Sequence, residues 1–298
     1  SNGYVNADSD RPLAWKYRDY VVRAFNADRP LDQIVRDQLA GDELSGFKPG
    51  VEVTQEVVDQ LVATHFLRNA QDGTGESDGN PDEVRADKVA VLDGAVQIIG
   101  SSLLGVTFQC AKCHDHKFEP FTQKEYYQLH AILYPAFDVD RWVKPNDRTV
   151  DAATADVVDP WRARETAIDA EVARLKREHE PRESDAPSRA EARKKALDEA
   201  VKAAEAGRRP HPGRIAWVSD LPGESPLAPL LIRGDPSRPG DPVEPGVPAF
   251  LSDPDDPFEP RPTDRGGTGR RAAFARWLTR PGSRPSALLA RLLVNRIW

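Results

Sequence analysis

Residues 80–103 read NPDEVRADKVAVLDGAVQIIGSSL, and this stretch decides the fold class. Asn80 can cap a helix N-terminus, Pro81 suits the first helical position, and Glu83 stands at the third. Behind them, apolar residues recur at helical spacing; they are Val84, Val91, Leu92, Ala95, Ile99 and Leu103. A capped run of this length predicts a long helix with one buried face.

Further helices are predicted on both sides of this run. An amphipathic segment follows Pro30, and Gly41 is its expected stop; its apolar positions are Leu31, Ile34, Val35 and Leu39. A second segment starts near Thr54, and Thr122 with Glu125 predicts a capping box for a third. Residues 1–140 are therefore predicted to form a small helical domain in a mainly α protein.

The rest of the chain changes composition twice. Residues 159–207 are rich in Ala, Arg, Lys and Glu, which predicts a charged helical arm with breaks at Pro181 and Pro187. Residues 211–298 begin with two short apolar runs, 215–218 and 230–232, which predict a β-like, Pro/Gly-rich segment. A linker is expected at 253–269 and helices after it, so 211–298 is predicted as the start of a second, truncated domain.

Composition excludes two classes of protein. The 298 residues hold 41 Lys and Arg against 48 Asp and Glu, and the resulting net charge of −7 with no basic block argues against nucleic-acid binding. No run approaches the ~18 apolar residues of a membrane span, so no transmembrane segment is predicted. Position 1 is Ser, and we expect a longer protein whose targeting segment lies outside this sequence.

The two cysteines of the chain stand together in Cys110-Ala111-Lys112-Cys113-His114. This spacing is typical of covalent c-type haem attachment, in which two thiols one turn apart form thioethers with the porphyrin. Cys110 and Cys113 would be the anchors. His114 would ligate the iron through Nε2, with Nδ1–H on a backbone carbonyl.

Three other interpretations of the same residues remain open. A redox-active dithiol usually occurs near a βαβ pattern, and none is visible. A zinc site would need further His, Asp or Glu ligands, because the chain has no third Cys. A structural disulfide would close a very small loop and stabilise little.

The sixth iron ligand cannot be Met, because the chain contains none. His65 and His130 lie in predicted helices with apolar faces and are the candidates, whereas His116 is too near His114 to reach the opposite face of the ring. His179 and His211 are weaker candidates, in the arm and in a Pro-rich stretch.

An acidic loop at residues 72–83 partly matches a calcium-binding loop. Ser77 stands where the sharp turn needs Gly, so Ca²⁺ is the less favoured interpretation and a helix-capping loop the favoured one. The matching positions are Asp72, Thr74, Glu76, Asp78 and Glu83.

Several stretches resemble known families. The first half is similar to the planctomycete cytochrome-c-like proteins of domain-of-unknown-function family 1549, in Asn26–Gln33, Gln38–Asp42, Phe66–Asn69, Cys110–Pro120 and Tyr126-Tyr127. The second half resembles the partner domain, family 1553, in Arg233–Asp235, Val243–Pro248, Arg271–Leu278 and Val294–Trp298. Arg284-Pro285 departs from the Asn-Pro usual there.

The resemblance implies an extracytoplasmic protein, at the periplasm or cell surface, with an adjacent cytochrome domain or a separate redox partner protein. It implies surface redox chemistry and polysaccharide use without a settled reaction. We therefore expect a haem c protein acting in electron transfer or redox chemistry. The alternative is a non-redox surface or partner-binding module in which Cys110 and Cys113 form a disulfide or a zinc half-site.

Overall fold

A computed structural model describes residues 2–4, 8–50, 53–75, 79–179, 187–253, 257–264 and 266–298. These residues are mainly helical, which confirms the predicted class. The helices are α1 (Ala14–Asn26), α2 (Leu31–Leu44), α3 (Gln55–Ala63), α4 (Pro81–Ile99), α5 (Gln123–Leu133), α6 (Ala155–His179), α7 (Pro187–Glu205), α8 (Arg270–Thr279) and α9 (Arg284–Ile297).

The strands are short and form two-stranded sheets. They are β1 (Thr149–Asp151), β2 (Arg214–Ala216), β3 (Ala228–Leu231) and β4 (Pro239–Val243). β1 pairs with β2, and β3 pairs antiparallel with β4, with Ala228 opposite Val243. β2 covers the first two residues of the predicted run 215–218, and β3 covers the first two residues of 230–232.

The chain forms two compact units. One comprises Ser1–Val51, Glu56–Val150 and Ile215–Trp298, and the other comprises Glu52–Gln55 and Asp151–Arg214. The first unit thus takes residues from both sides of the charged arm, and within it α2 packs along α8. The predicted boundaries 1–140, 159–207 and 211–298 divide the chain by sequence pattern and stay predictions.

Helix α4 begins as its sequence predicts. The Asn80 side chain accepts a hydrogen bond from the backbone N–H of Asp82 at 3.0 Å. The helix continues into a π-helical turn over Gly100–Leu104. A Cβ at Gly100 would lie 2.4 Å from the ring of Phe108, so glycine lets the following chain fold back closely.

The predicted stop of α2 at Gly41 is wrong, because the helix continues to Leu44. Its irregularity is at Ala40, where φ is −151°. Glycine is needed at position 41 for another reason: a Cβ there would lie 1.9 Å from the Gln60 carbonyl oxygen of α3. The residue therefore marks a close approach of two helices.

The apolar core of the first unit draws on α2, α4, α5 and α8. Its largest fully buried apolar side chains include Phe108, Tyr126, Tyr127, Phe137 and Phe274. In the second unit α6 packs against α7, and few apolar side chains are buried there, among them Val172 and Leu175. Helices α6 and α7 lie in the region predicted as a charged helical arm. The predicted break at Pro181 lies outside the described residues, and Pro187 is the first residue of α7.

A buried ion cluster links α2 to α8 and to Asp220, which precedes α8 in the chain. Arg271 is 1% exposed and makes two hydrogen bonds of 2.7 Å to the Asp42 carboxylate. The same guanidinium lies 3.1 Å from Asp220 Oδ1 and 3.6 Å from Glu43 Oε1. We call Arg271, Asp42, Glu43 and Asp220 the Arg271 cluster.

Candidate functional site

The two cysteines lie on a single short turn of chain. Residues Gln109–Lys112 form a 3-10 turn, and the backbone N–H of Cys113 donates to the Cys110 carbonyl at 3.3 Å. Ala111 is fully buried and anchors the turn in the core, whereas Cys110 and Cys113 are exposed and carry free thiols. Both cysteine residues are thus accessible from outside the protein.

His114 is exposed, and its ring is oriented by its neighbour. Nδ1 lies 2.7 Å from the Asp115 carbonyl oxygen. A carbonyl oxygen can only accept a hydrogen bond, so the proton of the neutral ring is on Nδ1 and the lone pair is on Nε2. This is the tautomer that a metal-ligating Nε2 requires.

His116 has the opposite arrangement. Its Nδ1 accepts hydrogen bonds from the backbone N–H groups of Phe118 and Glu119, at 3.2 and 2.8 Å. In the neutral ring the proton is therefore on Nε2, which leaves that atom without a lone pair for a metal. The His116 backbone N–H donates to Phe121 O at 2.8 Å, so this residue closes a loop.

A partly buried polar network lies under the turn. The Lys112 ammonium donates to Asp93 Oδ2 at 2.7 Å, and the Tyr126 hydroxyl donates to Asp93 Oδ1 at 2.7 Å. His130 Nε2 lies 2.9 Å from the same Oδ1. We call Asp93, Lys112, Tyr126 and His130 the Asp93 cluster.

The Asp93 carboxylate is held in its charged form. Burial alone would raise its pKa, but the hydrogen bonds and charges of His130 and Lys112 outweigh burial and lower the pKa to about 2. The ionised carboxylate therefore links α4 and α5 to the cysteine-bearing turn.

The start of α5 holds the other side of the turn. The Lys112 carbonyl accepts hydrogen bonds from Gln123 Nε2 and from the Tyr127 hydroxyl, both at 3.0 Å. The Gln123 backbone N–H donates to Asp115 Oδ1 at 2.8 Å. The predicted capping box of Thr122 and Glu125 is confirmed, and it fixes where this helix begins.

The β3–β4 hairpin also reaches the cysteines. Gly234 has φ +73° and is buried, and a Cβ there would lie 2.7 Å from Cys113 Sγ. Gln123 Nε2 also donates to the Leu231 carbonyl, at 3.3 Å. Residues from the second half of the chain thus flank Cys113, a placement that sequence analysis missed.

Sequence analysis also missed the Asp93 cluster, apart from His130. One signal was present: Asp93 follows Val91-Leu92 inside the apolar run of α4, where a charged side chain needs a partner. That the partners would be Lys112 and Tyr126 depends on packing.

The two predicted sixth-ligand candidates are both buried. His65 is 3% exposed and stacks on Tyr17, with 5.4 Å between ring centroids. Burial, with the charges of Arg68 and Arg11, lowers the pKa of His65 to about 3, so the ring is neutral. His130 is 3% exposed and its Nε2 faces Asp93. A role for either at the iron stays a prediction.

The acidic loop is only partly described. Asp72 Oδ1 accepts hydrogen bonds from the Thr74 N–H and hydroxyl, at 3.1 and 2.6 Å, which is a local turn. Glu76 and Asp78 lie outside the described residues. Within the described ranges no group of three or more His, Cys, Asp or Glu side chains is placed to hold a metal ion.

A cavity of about 350 Å³ opens on the Lys112 side of the turn. Its lining includes Asp93, Lys112, Tyr126 and Gln109 but neither cysteine and not His114. A covalently attached porphyrin would need the two thiols of Cys110 and Cys113 and a lone pair on His114 Nε2 from these residues. The donor atoms fit such a group, since two free thiols and an unprotonated Nε2 occur within five residues.

A family model matches the first part of the chain. Residues 1–136 match the family PSCyt2, described as a protein of unknown function (DUF1549), which confirms the resemblance to family 1549 in that region. No curated protein and no solved structure matches the chain. Across the described helices, none is long and apolar enough to cross a bilayer.

Proposed function

We propose that Cys110, Cys113 and His114 attach a haem c, and that the protein acts in electron transfer or redox chemistry outside the cytoplasm. The observation that carries the proposal is the tautomer of His114, set by the Asp115 carbonyl, beside two exposed free thiols. When bound, the haem supplies a one-electron couple. The thioether attachment machinery works outside the cytoplasm, which is the reason for the proposed location.

The surrounding residues have positioning roles. The Asp115 carbonyl orients the His114 ring, and its carboxylate receives the first N–H of α5. Lys112 holds the turn through Asp93, while its carbonyl is held by Gln123 and Tyr127. These contacts fix the spacing of the two sulfurs before any attachment, so less ordering is required when it occurs.

The same proposal includes a redox partner, a sixth iron ligand and a reduction potential. The resemblance of 211–298 to family 1553 and the cytochrome-c-like character of the first half suggest a redox partner protein or an adjacent cytochrome domain, with a link to polysaccharide use. For the sixth position, His130 would have to leave Asp93, and His65 would have to leave Tyr17. A ligand set without Met predicts a reduction potential below that of Met/His cytochromes.

The test is expression with export and cytochrome c maturation, followed by intact mass and a reduced pyridine haemochrome spectrum. We expect the mass of protein plus one haem and a spectrum typical of two thioethers. The Cys113→Ser variant should change the spectrum to that of a single thioether or lose the haem. His114→Ala should lose the native spectrum.

His116→Asn is the matched control. The Asn carbonyl oxygen can replace the accepting Nδ1 of His116, so the loop should persist and haem attachment should be unchanged. A wild-type mass equal to that of the bare protein would overturn the proposal. A mass two hydrogens lower, or stoichiometric zinc lost in Cys113→Ser, would instead support the non-redox module.

A further inference from the structure

A second cavity in the first unit lies away from the cysteines. It has a volume of about 850 Å³ and is formed by α2, α8 and the segment 257–264. This volume is in the range of sites that take small molecules. Its lining consists of Arg36, Glu43, Pro257, Phe258, Glu259, Arg261, Pro262, Thr263, Asp264, Ala273, Arg276, Trp277, Arg280 and Pro281.

The cavity lining is basic, although the whole chain carries a net charge of −7. Four arginines from three parts of the chain line it: Arg36 on α2, Arg261 in the loop, and Arg276 and Arg280 at the end of α8. Two of its three acidic side chains, Glu259 and Asp264, lie in the loop. Arg36 Nε donates to Thr279 Oγ1 at 2.7 Å, and Arg261 pairs with Glu259 at 3.5 Å. Each guanidinium has further N–H groups, which are well suited to bind carboxylate, sulfate or phosphate groups.

The third acidic side chain, Glu43, is part of the buried wall. Its side chain is 2% exposed, and Oε2 accepts a hydrogen bond from the Ala272 N–H at 2.6 Å. Oε1 has no hydrogen-bond partner among the described residues. A buried oxygen without a partner is costly for a protein, and a group in the adjoining cavity could satisfy it.

Glu43 does not repel an anion near neutral pH. Burial raises its pKa to about 8 although Arg271 opposes this, and the charges of Asp220 and Asp42 add to the rise. The charge of Arg270, on the same helix as Arg271, also interacts with Glu43. The neutral carboxyl can therefore donate its O–H to an anionic oxygen in the cavity.

The remaining walls are apolar. Trp277 is stacked on Phe274, with 5.5 Å between ring centroids, and is thereby held in place. Phe258, Pro257 and Pro262 face the cavity from the loop. Such surfaces suit a carbon scaffold that carries the charged groups.

We propose that this cavity binds a small organic polyanion, with two or more carboxylate, sulfate or phosphate groups held by Arg36, Arg261 and Arg276. The site is independent of the haem proposal, because it shares no residue with the cysteine-bearing turn. It would give the protein a soluble ligand in addition to any redox partner.

The test is calorimetric titration of the purified protein at low ionic strength, with citrate, inorganic sulfate and inorganic phosphate as separate probes. The three probes distinguish a carboxylate ligand from a sulfate or phosphate ligand. We expect saturable binding of at least one probe, weakened about tenfold or more in Arg276→Gln and in Arg261→Gln, because each variant removes a charge-assisted hydrogen bond. The Arg261 side chain is 81% exposed and pairs with Glu259 at 3.5 Å on the surface, where such a pair contributes little, so we expect its replacement to leave folding unaffected.

Arg18→Gln is the matched control, since Arg18 is 71% exposed on α1 and does not line the cavity. It should bind like the wild type. Binding should weaken as the pH rises through about 8, and this decline should be absent in Glu43→Gln, whose amide cannot ionise. No saturable binding of any probe, or equal weakening in Arg18→Gln, would overturn the proposal.

Discussion

The Asp93 cluster is partly buried and the Arg271 cluster is fully buried, and the pKa values of Asp93 and Glu43 shift in opposite directions. In the first, one carboxylate faces a lysine, a tyrosine hydroxyl and a histidine, and the pKa of Asp93 falls to about 2. In the second, three carboxyl groups share one guanidinium, and the pKa of Glu43 rises to about 8. Burial is common to both, so the balance of charge and hydrogen bonds decides the direction.

The two clusters therefore have different roles in the protein. A fully paired carboxylate is a rigid link, and the Asp93 cluster holds the cysteine-bearing turn against α4 and α5. A cluster with more carboxyl groups than cations keeps one group protonated at neutral pH and ready to respond to pH or to a ligand. The Arg271 cluster borders the basic cavity through that group.

The largest effect is expected from Arg271→Met, which removes the cation that the second cluster shares. The ionised carboxylates of the cluster would then be buried without a counter-charge, and we expect a loss of about 3–5 kcal/mol in the free energy of unfolding. Urea denaturation followed by circular dichroism measures it. Unchanged stability at neutral pH would show that the carboxyl groups are neutralised in another way.

Glu43→Gln tests the excess of carboxyl groups directly. A folded-state pKa raised above the ordinary 4.5 means that the folded protein binds the extra proton, so stability falls as the pH rises from about 4.5 to about 8. The variant should remove this slope and be more stable than the wild type above pH 8. Thermal unfolding across this range is the measurement, and parallel wild-type and variant curves would contradict the assignment.

Asp93→Asn tests the fully paired cluster and should have the opposite dependence on pH. A pKa lowered to about 2 stabilises the folded state above the ordinary 3.8, and this contribution is lost as the pH falls towards 2. We expect the variant to lose about 2 kcal/mol at neutral pH and to lack the acid-side decline. If its stability in acid falls as steeply as that of the wild type, Asp93 is not the group that titrates.

Arg174→Ala should have the smallest effect on stability, and it serves as a reference for the other three variants. Arg174 pairs with Glu171 and Glu178 on the exposed face of α6 in the arm, where solvent screens the charges. The melting temperature should not change measurably. A clear decrease would mean that this face of the arm is covered.

Much of the fold could be predicted because its signals are local. The caps at Asn80 and Thr122 and the apolar spacing behind them determine where α4 and α5 begin. Gly41 shows the limit of such signals. A glycine that ends a helix and a glycine that admits a neighbouring backbone look alike in sequence, and only the approach of Gln60 distinguishes them.

The candidate site divides in the same way. Cys110, Cys113 and His114 are recognised by spacing alone, because one turn of chain sets which atoms can reach one porphyrin. The opposite tautomers of His114 and His116 could not be predicted, since they depend on which backbone groups the loop brings to each ring. Arg36 lies more than 200 residues before the other three cavity arginines, so no local pattern joins it to them.

The sequence by itself determined the helical class and the cysteine–histidine motif, because capping, periodicity and motif spacing act between residues near in the chain. The tertiary structure decided that Gly234 lies against Cys113, that Asp93 is paired under the turn, and that Glu43 stays protonated beside Arg271. The physical reason is that burial and charge balance depend on groups brought together from distant positions, and only the packed fold sets their distances.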